Sequence, residues 1–449
     1  MRRTGSIVAY SAPRARLDDE RFLPPLMIGV VMPSLSPVRI RLALLALALG
    51  GFGIGTTEFV AMGLLPDIAR DLLPALYTQD PDAALARAGL LISAYAAGVV
   101  VGAPTIAAFA ARFPRKRLLT ALAVVFTLGT VASALAPTFP LVVIARFVAA
   151  LPHGAYFGVA ALVAADLMGP GRRGRAVALV LTGLTIANVV GVPAITYLGQ
   201  HAGWRVAYLA VAAIFAATAL AIVLAVPWQE GDPRATVRRE LAAFTRPAVW
   251  FALLTGALGF GGFFAVYSYV SPLATAVAGL REAYVPIALV VLGIGMTVGN
   301  ILGGRLADHG AMKAVFGLFG AFSVSLVVLI IGAGSVAGLA IGLLLVGASA
   351  SAISPAIQTR LMDVASDSQT MAAAVNHSAL NIGNSLGALL GGAVIAAGWG
   401  YVAPAWLGLA LCVPGVGFAL AGWWVARRAR PTGPAAPEPT PSELASVVD

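Results

Sequence analysis

The chain has 449 residues, 59% of them hydrophobic and 11% charged, with 29 basic against 19 acidic side chains and a formal net charge of +10. Soluble globular chains carry roughly 25% charged residues. Too little polar surface is left to cover a water-soluble particle, which excludes a soluble enzyme, a disordered chain and a disulfide-stapled module. Cys412 is the one cysteine, so neither an intramolecular disulfide nor a cysteine metal cluster forms.

In chain order, residues 1–41 read as a cytoplasmic N-terminal segment. Phe22 to Val38 is apolar but short and proline-rich, so it is not a span, and Met27 and Met32 each offer an alternative translation start. A bilayer core about 30 Å thick needs about 20 apolar helical residues. Twelve runs meet this: 42–65, 88–110, 118–136, 139–166, 176–199, 205–227, 248–272, 285–306, 312–332, 335–361, 370–397 and 402–426. The third and fourth are parted only by Pro137 and its neighbours. The sequence therefore predicts an all-α membrane protein with twelve transmembrane helices. Residues 42–227 and 248–426 form six-helix bundles joined by a cytoplasmic linker, 228–247, and 427–449 form a disordered cytoplasmic tail rich in proline.

Charge placement gives the orientation. Arg70, Arg87, Arg205 and Arg281 fall on one side of the membrane and Arg146 within it. Every other lysine and arginine falls on the side of the two termini. Both termini are thus expected in the cytoplasm, in a multi-pass plasma-membrane protein. The +10 records orientation in a lipid bilayer, and no nucleic-acid partner is expected.

Internal repetition supports two halves. Gly98–Pro104 (GVVVGAP) matches Gly295–Ile301 (GMTVGNI) at an offset of 197, which also carries Lys116 onto Lys313. Asn188 and Gly191 match Asn384 and Gly387 at 196. Gly53, Gly55 and Pro66 match Gly259, Gly261 and Pro272 at 206.

Two charges, Glu58 and Arg146, lie deep inside spans. Buried ionisable groups pair or face water. Each lies eight residues from the outer end of its helix, about 12 Å deep at 1.5 Å per residue, so an ion pair is geometrically allowed. It reads either as a structural lock between helices 1 and 4 or as a proton site, because burial disfavours the charged carboxylate while an arginine favours it. His153, seven residues after Arg146, shares its helix face and reads as a packing or a titrating histidine. His377, Asn381 and Asn384 form a stripe at i, i+4 and i+7, with Asn188 the repeat partner of Asn384. Such stripes line a wet cavity or bond neighbouring helices. Tyr95, Tyr156, Tyr197, Tyr267 and Tyr269 supply either cavity walls or interface anchors. Gly98 and Gly102, and Gly183, Gly191 and Gly199, allow close helix approach, and Pro193 is expected to kink helix 5. The run Arg112 to Arg117, with Arg115 and Lys116, fixes topology and is placed to grip neighbouring helix ends.

No GxxxxGK[ST] or HExxH occurs, and neither a cofactor nor a metal is expected. Several strings carry a family resemblance: GTTEFVAMGLLPDIA from Gly55, YAAGVVVGAP from Tyr95, RFVAALPHGAYFGV from Arg146 and GLTIANVVGVPAITYLGQ from Gly183. GWR at Gly203 and VYSYVSP at Val266 add to them. Over residues 40 to 426 the chain resembles the major facilitator superfamily, in particular the twelve-span drug:proton antiporters of the arabinose efflux permease-like and chloramphenicol exporter-like branch. The family's loop motif G-x-L-A-D-R-x-G-R-K is matched at Arg112, Arg115 and Lys116, but Ala111 replaces its aspartate and Pro114 its second glycine. The second-half copy, Gly304, Leu306, Ala307, Asp308 and Lys313, keeps the aspartate. The resemblance implies a proton-transfer role for Arg146 with Gly154, and an exporter motif at Gly191 and Pro193. It implies a monomeric inner-membrane antiporter that exports a small organic substrate, such as a drug, against protons. A sugar or nucleoside exporter, and a sensor that has lost transport, are the alternatives.

Overall fold

A computed structural model describes residues 36–110, 112–169, 173–231, 246–364 and 369–428. The N-terminal segment, most of the linker and the tail lie outside the described residues. Among the described residues, twelve helices are long and apolar enough to cross a membrane. The first six are α1 (Pro37–Gly63), α2 (Pro81–Ile106), α3 (Arg115–Leu135), α4 (Phe139–Met168), α5 (Ala178–Ala202) and α6 (Trp204–Ala225). The second six are α7 (Pro247–Ser268), α8 (Glu282–Ala307), α9 (Ala311–Gly332), α10 (Val336–Leu361), α11 (Asn376–Trp399) and α12 (Ala403–Arg428). Each expected run is present with its ends shifted by a few residues. Leu45, Leu128, Ile331 and Val413 are exposed, as expected of helices whose outer surface meets lipid rather than water.

Where helices depart from regularity, the sequence explains it. α1 stops at Gly63, Leu64 leaves helical geometry (φ −107°, ψ 12°), and Pro66 opens a short helix, Leu65–Leu72, in its second position. α7 breaks in the same way at Tyr269 (φ −117°, ψ 24°), ahead of Pro272. α4 is interrupted at Leu151 and Pro152, an unexpected break, because proline has no N–H to donate; a regular helix resumes at His153. The kink expected at Pro193 takes a particular form. Ala187–Gly191 is one wide π turn, with the Val192 N–H bonded to the Ala187 carbonyl. Such a turn holds one extra residue and absorbs the lost hydrogen bond.

The repeat is visible in the packing. A Cβ on Gly98 would overlap the Phe147 carbonyl oxygen, and one on Gly102 the Leu151 carbonyl oxygen. Gly295 and Gly299 stand in the same relation to Leu344 and Ala348. Both pairs keep the offset of 197, so α2 lies on α4 as α8 lies on α10. Backbone-to-backbone contact of this kind needs glycine.

Successive helices alternate direction. The face where α1 starts and α12 ends carries Arg115, Lys116, Arg117, Lys313, Arg427 and Arg428, and is here called the basic face. The opposite face carries Asp67, Arg70, Asp71, Asp82, Arg205 and Glu282.

Candidate functional site

A cavity of about 430 Å³ lies between the bundles. Its walls come from α1, α4 and α5 of the first half and α7, α8, α10 and α11 of the second. On α5 it takes residues 178–188, on α10 residues 351–358 and on α11 residues 376–381. These are the parts of those helices nearer the basic face. The cavity therefore lies toward that face.

Polar contacts between the halves gather, among the described residues, at midplane and on the opposite face. Arg70 pairs with Glu282 at 3.3 Å, and the Gln200 amide donates to the Glu282 carbonyl at 3.0 Å. Tyr401 donates to the Asp82 carboxylate, and Ser93 to the Ser385 carbonyl at 3.2 Å. Gly293 of α8 rests on the Asn188 carbonyl in the π turn of α5. The molecule is thus closed on the opposite face.

Glu58 lines the cavity, 6% exposed, and accepts a hydrogen bond from the Asn384 amide at 3.4 Å. The partner is on α11, so this bond crosses between bundles. Arg146 is 1% exposed and makes no ion pair with Glu58 among the described contacts. Its Nη1 donates at 3.1 Å to Oγ1 of Thr57, the residue before Glu58. Its guanidinium lies 4.2 Å from the Tyr95 ring centroid and 5.4 Å from that of Tyr208. Desolvated cation–π contacts stabilise by about 2 kcal/mol or more. The two charges do share a depth, but successive residues on a helix point about 100° apart. Thr57 therefore turns to α4 while Glu58 faces the cavity.

His153 lines the cavity, and its Nδ1 lies 3.3 Å from the Tyr95 hydroxyl. Its ring is 6.1 Å from that of His377, which stacks on Phe157 at 5.3 Å. Tyr95 thereby connects buried Arg146 to a histidine on the cavity wall. Asn188, His377 and Asn381 line the cavity as well; Asn384 instead lies behind it on Glu58.

Tyr95, Tyr156 and Tyr267 do not form the wall. Tyr95 is held under Arg146, Tyr156 donates to the Leu47 carbonyl at 3.1 Å, and Tyr267 stacks on Phe59 at 5.3 Å. Tyr197 is exposed, and Tyr269 donates to the Ala388 carbonyl at 2.7 Å. Phe59, Phe260, Phe263 and Phe264 supply the aromatic wall instead. Sequence reasoning also missed Thr182, Thr185, Asn300, Gln358 and Asn376 on the wall. Two of these carried a signal, since Thr182, Thr185 and Asn188 recur three apart on one face of α5.

On the basic face, Arg115 pairs with Asp166 at the end of α4, and its N–H donates to the Gln229 carbonyl at 3.0 Å. Arg117 lies 4.9 Å from the Trp228 ring centroid. The basic loop thus grips the ends of α4 and α6. Arg112 and Lys116 lie beside it, and Gly304 and Lys313 hold the matching places in the second half. Ala111 and the Asp308 side chain lie outside the described residues. Gly191 packs on Thr56 and Phe52 of α1.

Comparison with known proteins agrees with this architecture. The Major Facilitator Superfamily model matches residues 47–376 and 279–448. An inner membrane transport protein, YdhP, of Escherichia coli (strain K12) is 41% identical over 368 residues, covering 81% of this chain and 91% of that protein. A chloramphenicol resistance protein of Streptomyces lividans is 34% identical over 376 residues, covering 81% and 92%. The crystal structure of a D-xylose-proton symporter has the same fold, with a TM-score of 0.65 at 17% identity over 84% of this chain and 97% of that one. The sequence resemblance to the family is thereby established, and the chain belongs to the major facilitator superfamily of membrane transporters.

Proposed function

We propose that this transporter exports a small organic molecule in exchange for protons, as a monomer working by alternating access. The bundles 42–227 and 248–426 rock about the central cavity, joined by the linker 228–247. The basic face is cytoplasmic by the positive-inside rule, so the cavity loads from the cytoplasm.

The carrying observation is Glu58. Among the described residues it is the one charged side chain on the cavity wall, and it is bonded across the bundle boundary by Asn384. A charged carboxylate holds that amide and is attracted by Arg146; a protonated one holds it less. Proton uptake would therefore loosen one bundle from the other, which is the link that coupling requires. A cavity of 430 Å³ falls within the roughly 300–1,000 Å³ of drug-sized pockets. Its four phenylalanines and the chloramphenicol-resistance relative favour a drug-like substrate. The wall amides and hydroxyls support a second reading, export of a sugar or nucleoside.

Everted vesicles carrying a preformed pH gradient test the proposal. Chloramphenicol, other antibiotics and sugars are added in turn, and a transported compound is expected to dissipate the gradient. Glu58→Gln is expected to assemble normally and to lose this response. A wild-type response in Glu58→Gln removes Glu58 from coupling, and silence toward every compound favours a sensor over an antiporter.

A further inference from the structure

Of the four histidines in the chain, two face each other across the bundle boundary. His153 comes from α4 and His377 from α11, and both line the cavity. Their ring centroids are 6.1 Å apart and their planes meet at 61°. The other two, His201 and His309, are exposed, and each has Nδ1 against a backbone carbonyl four residues earlier.

The surroundings prepare the facing pair for a ligand. His153 Nδ1 lies 3.3 Å from the Tyr95 hydroxyl. In the tautomer that donates Nδ1–H to that oxygen, Nε2 carries the lone pair. Metal-binding histidines are built this way: the far ring nitrogen gives its proton to a fixed acceptor, which sets the tautomer and orients the ring. His377 is held flat against Phe157, 5° from parallel at 5.3 Å, and Phe157 itself lies 5.4 Å from His153. Neutral imidazole suits Zn2+, Ni2+ and Cu2+. An ion about 2.0–2.1 Å from one nitrogen of each ring would hold the centroids about 5 Å apart at a tetrahedral angle, so closing on it asks for a shift of about 1 Å. Rotation of two side chains on a cavity wall supplies that. Glu58, the charged side chain on the wall, favours a cation there, while Arg146 on the Tyr95 ring opposes it. Among the described residues no third histidine, cysteine or carboxylate completes the group. Water would fill the remaining positions, which makes the site exchangeable rather than structural.

We propose that His153 and His377 together bind one late first-row divalent ion, Zn2+, Ni2+ or Cu2+, and that the ion ties one bundle to the other. The site goes beyond the proposed export and needs only the facing pair. On the alternating-access reading, an ion bound to both bundles fixes their separation and acts as a brake.

The test uses purified full-length protein in detergent, free of any histidine tag and with no gradient present. Zn2+ is titrated against a chromophoric chelator. Cu2+ is added for pulsed electron paramagnetic resonance, where the echo modulation counts coordinated imidazoles. The wild type is expected to take one ion per chain and to show two imidazoles on Cu2+. His153→Ala and His377→Ala are each expected to weaken binding by about tenfold or more. The double variant His201→Ala/His309→Ala is expected to bind as the wild type does. One imidazole in the wild-type spectrum overturns the bridge, and so does a wild type that binds no ion. Weakening in only one of the single variants, or loss in the double variant, overturns it as well. The wild-type imidazole count decides even where a variant does not fold. No substrate or gradient enters these measurements, so their failure leaves the proposed antiport standing, and silence in the everted vesicles leaves this site standing.

Discussion

The two ends of the bundle interface are built from different material. Toward the basic face, amides, hydroxyls and phenyl rings line a space. On the opposite face, Arg70 with Glu282, Gln200 with the Glu282 backbone and Tyr401 with Asp82 draw the halves together. Arg70 and Glu282 are each about half exposed. Exposed ion pairs contribute only about 0–1 kcal/mol each, so this end is held by several weak bonds. The midplane is different again, since Gly293 meets a backbone carbonyl and Glu58 is bonded in a low-dielectric setting. The comparison teaches a division of material: one end is held by weak exposed bonds, the centre by a close backbone contact and a buried bond, and the other end encloses a cavity.

The harshest way to break this arrangement is Gly293→Leu. Any side chain there collides with the Asn188 carbonyl and its α5 neighbours, and overpacking typically costs about 1–3 kcal/mol. Transport is expected to fall to background and the thermal midpoint of the purified protein to drop. A wild-type midpoint would mean that α5 and α8 do not lie as closely as described.

A milder break combines Glu282→Ala with Tyr401→Phe, which removes the Arg70 and Asp82 bonds of the clamp, leaves that of Gln200 to the residue 282 backbone, and does not touch the cavity. A reporter is available in Ser93→Cys on a Cys412→Ser background, because Ser93 is buried against Ser385 on the closed side. An impermeant maleimide applied to the opposite face is expected to label it several-fold faster in the clamp variant. Unchanged labelling would assign closure to the glycine contacts and the Gln200 bond.

The smallest effect is one of pH. Burial, and then the Glu282 carboxylate, push Asp67 above the usual carboxylate range, and Arg70 only partly offsets them. A raised acid pKa stabilises the closed arrangement fully below the ordinary value, and the contribution is lost as pH rises through the raised value. Labelling at Ser93→Cys is therefore expected to slow in acid, and Asp67→Asn is expected to flatten that dependence. Asp71 runs the other way: burial raises it, but hydrogen bonds from Arg205 and Trp204 outweigh this and lower it. Its contribution, present above the ordinary value, is lost as pH falls through the lowered one.

How much of this was legible beforehand follows from geometry. Helix existence and depth scale with residue count, so the spans and the common depth of Glu58 and Arg146 were readable. Azimuth depends on which helices become neighbours, so neither Thr57 as the partner of Arg146 nor Asn384 as the partner of Glu58 was. Asn188, His377 and Asn381 stood out because amides and imidazoles are rare in apolar runs. Tyrosines are not, and Tyr95, Tyr156 and Tyr267 went to packing. The break at Pro152 was missed because the apolar run continues unbroken through it.

The π turn of α5 acts as a phase corrector. Gly183 and Gly191 meet α1, against Ala48 and Phe52, and Gly199 meets Leu64 just past its end. In an uninterrupted α-helix, Gly183 and Gly199 would end about 160° out of phase at about 100° per residue. One surplus residue cuts the difference to about 60°, so a single seam of small residues tracks a parallel neighbour for the whole crossing. Deleting one residue within Ala187–Gly191 would restore a regular helix and swing either the seam or the amide-bearing wall away from its partner, an alteration of timing around the helix with no change in its chemistry.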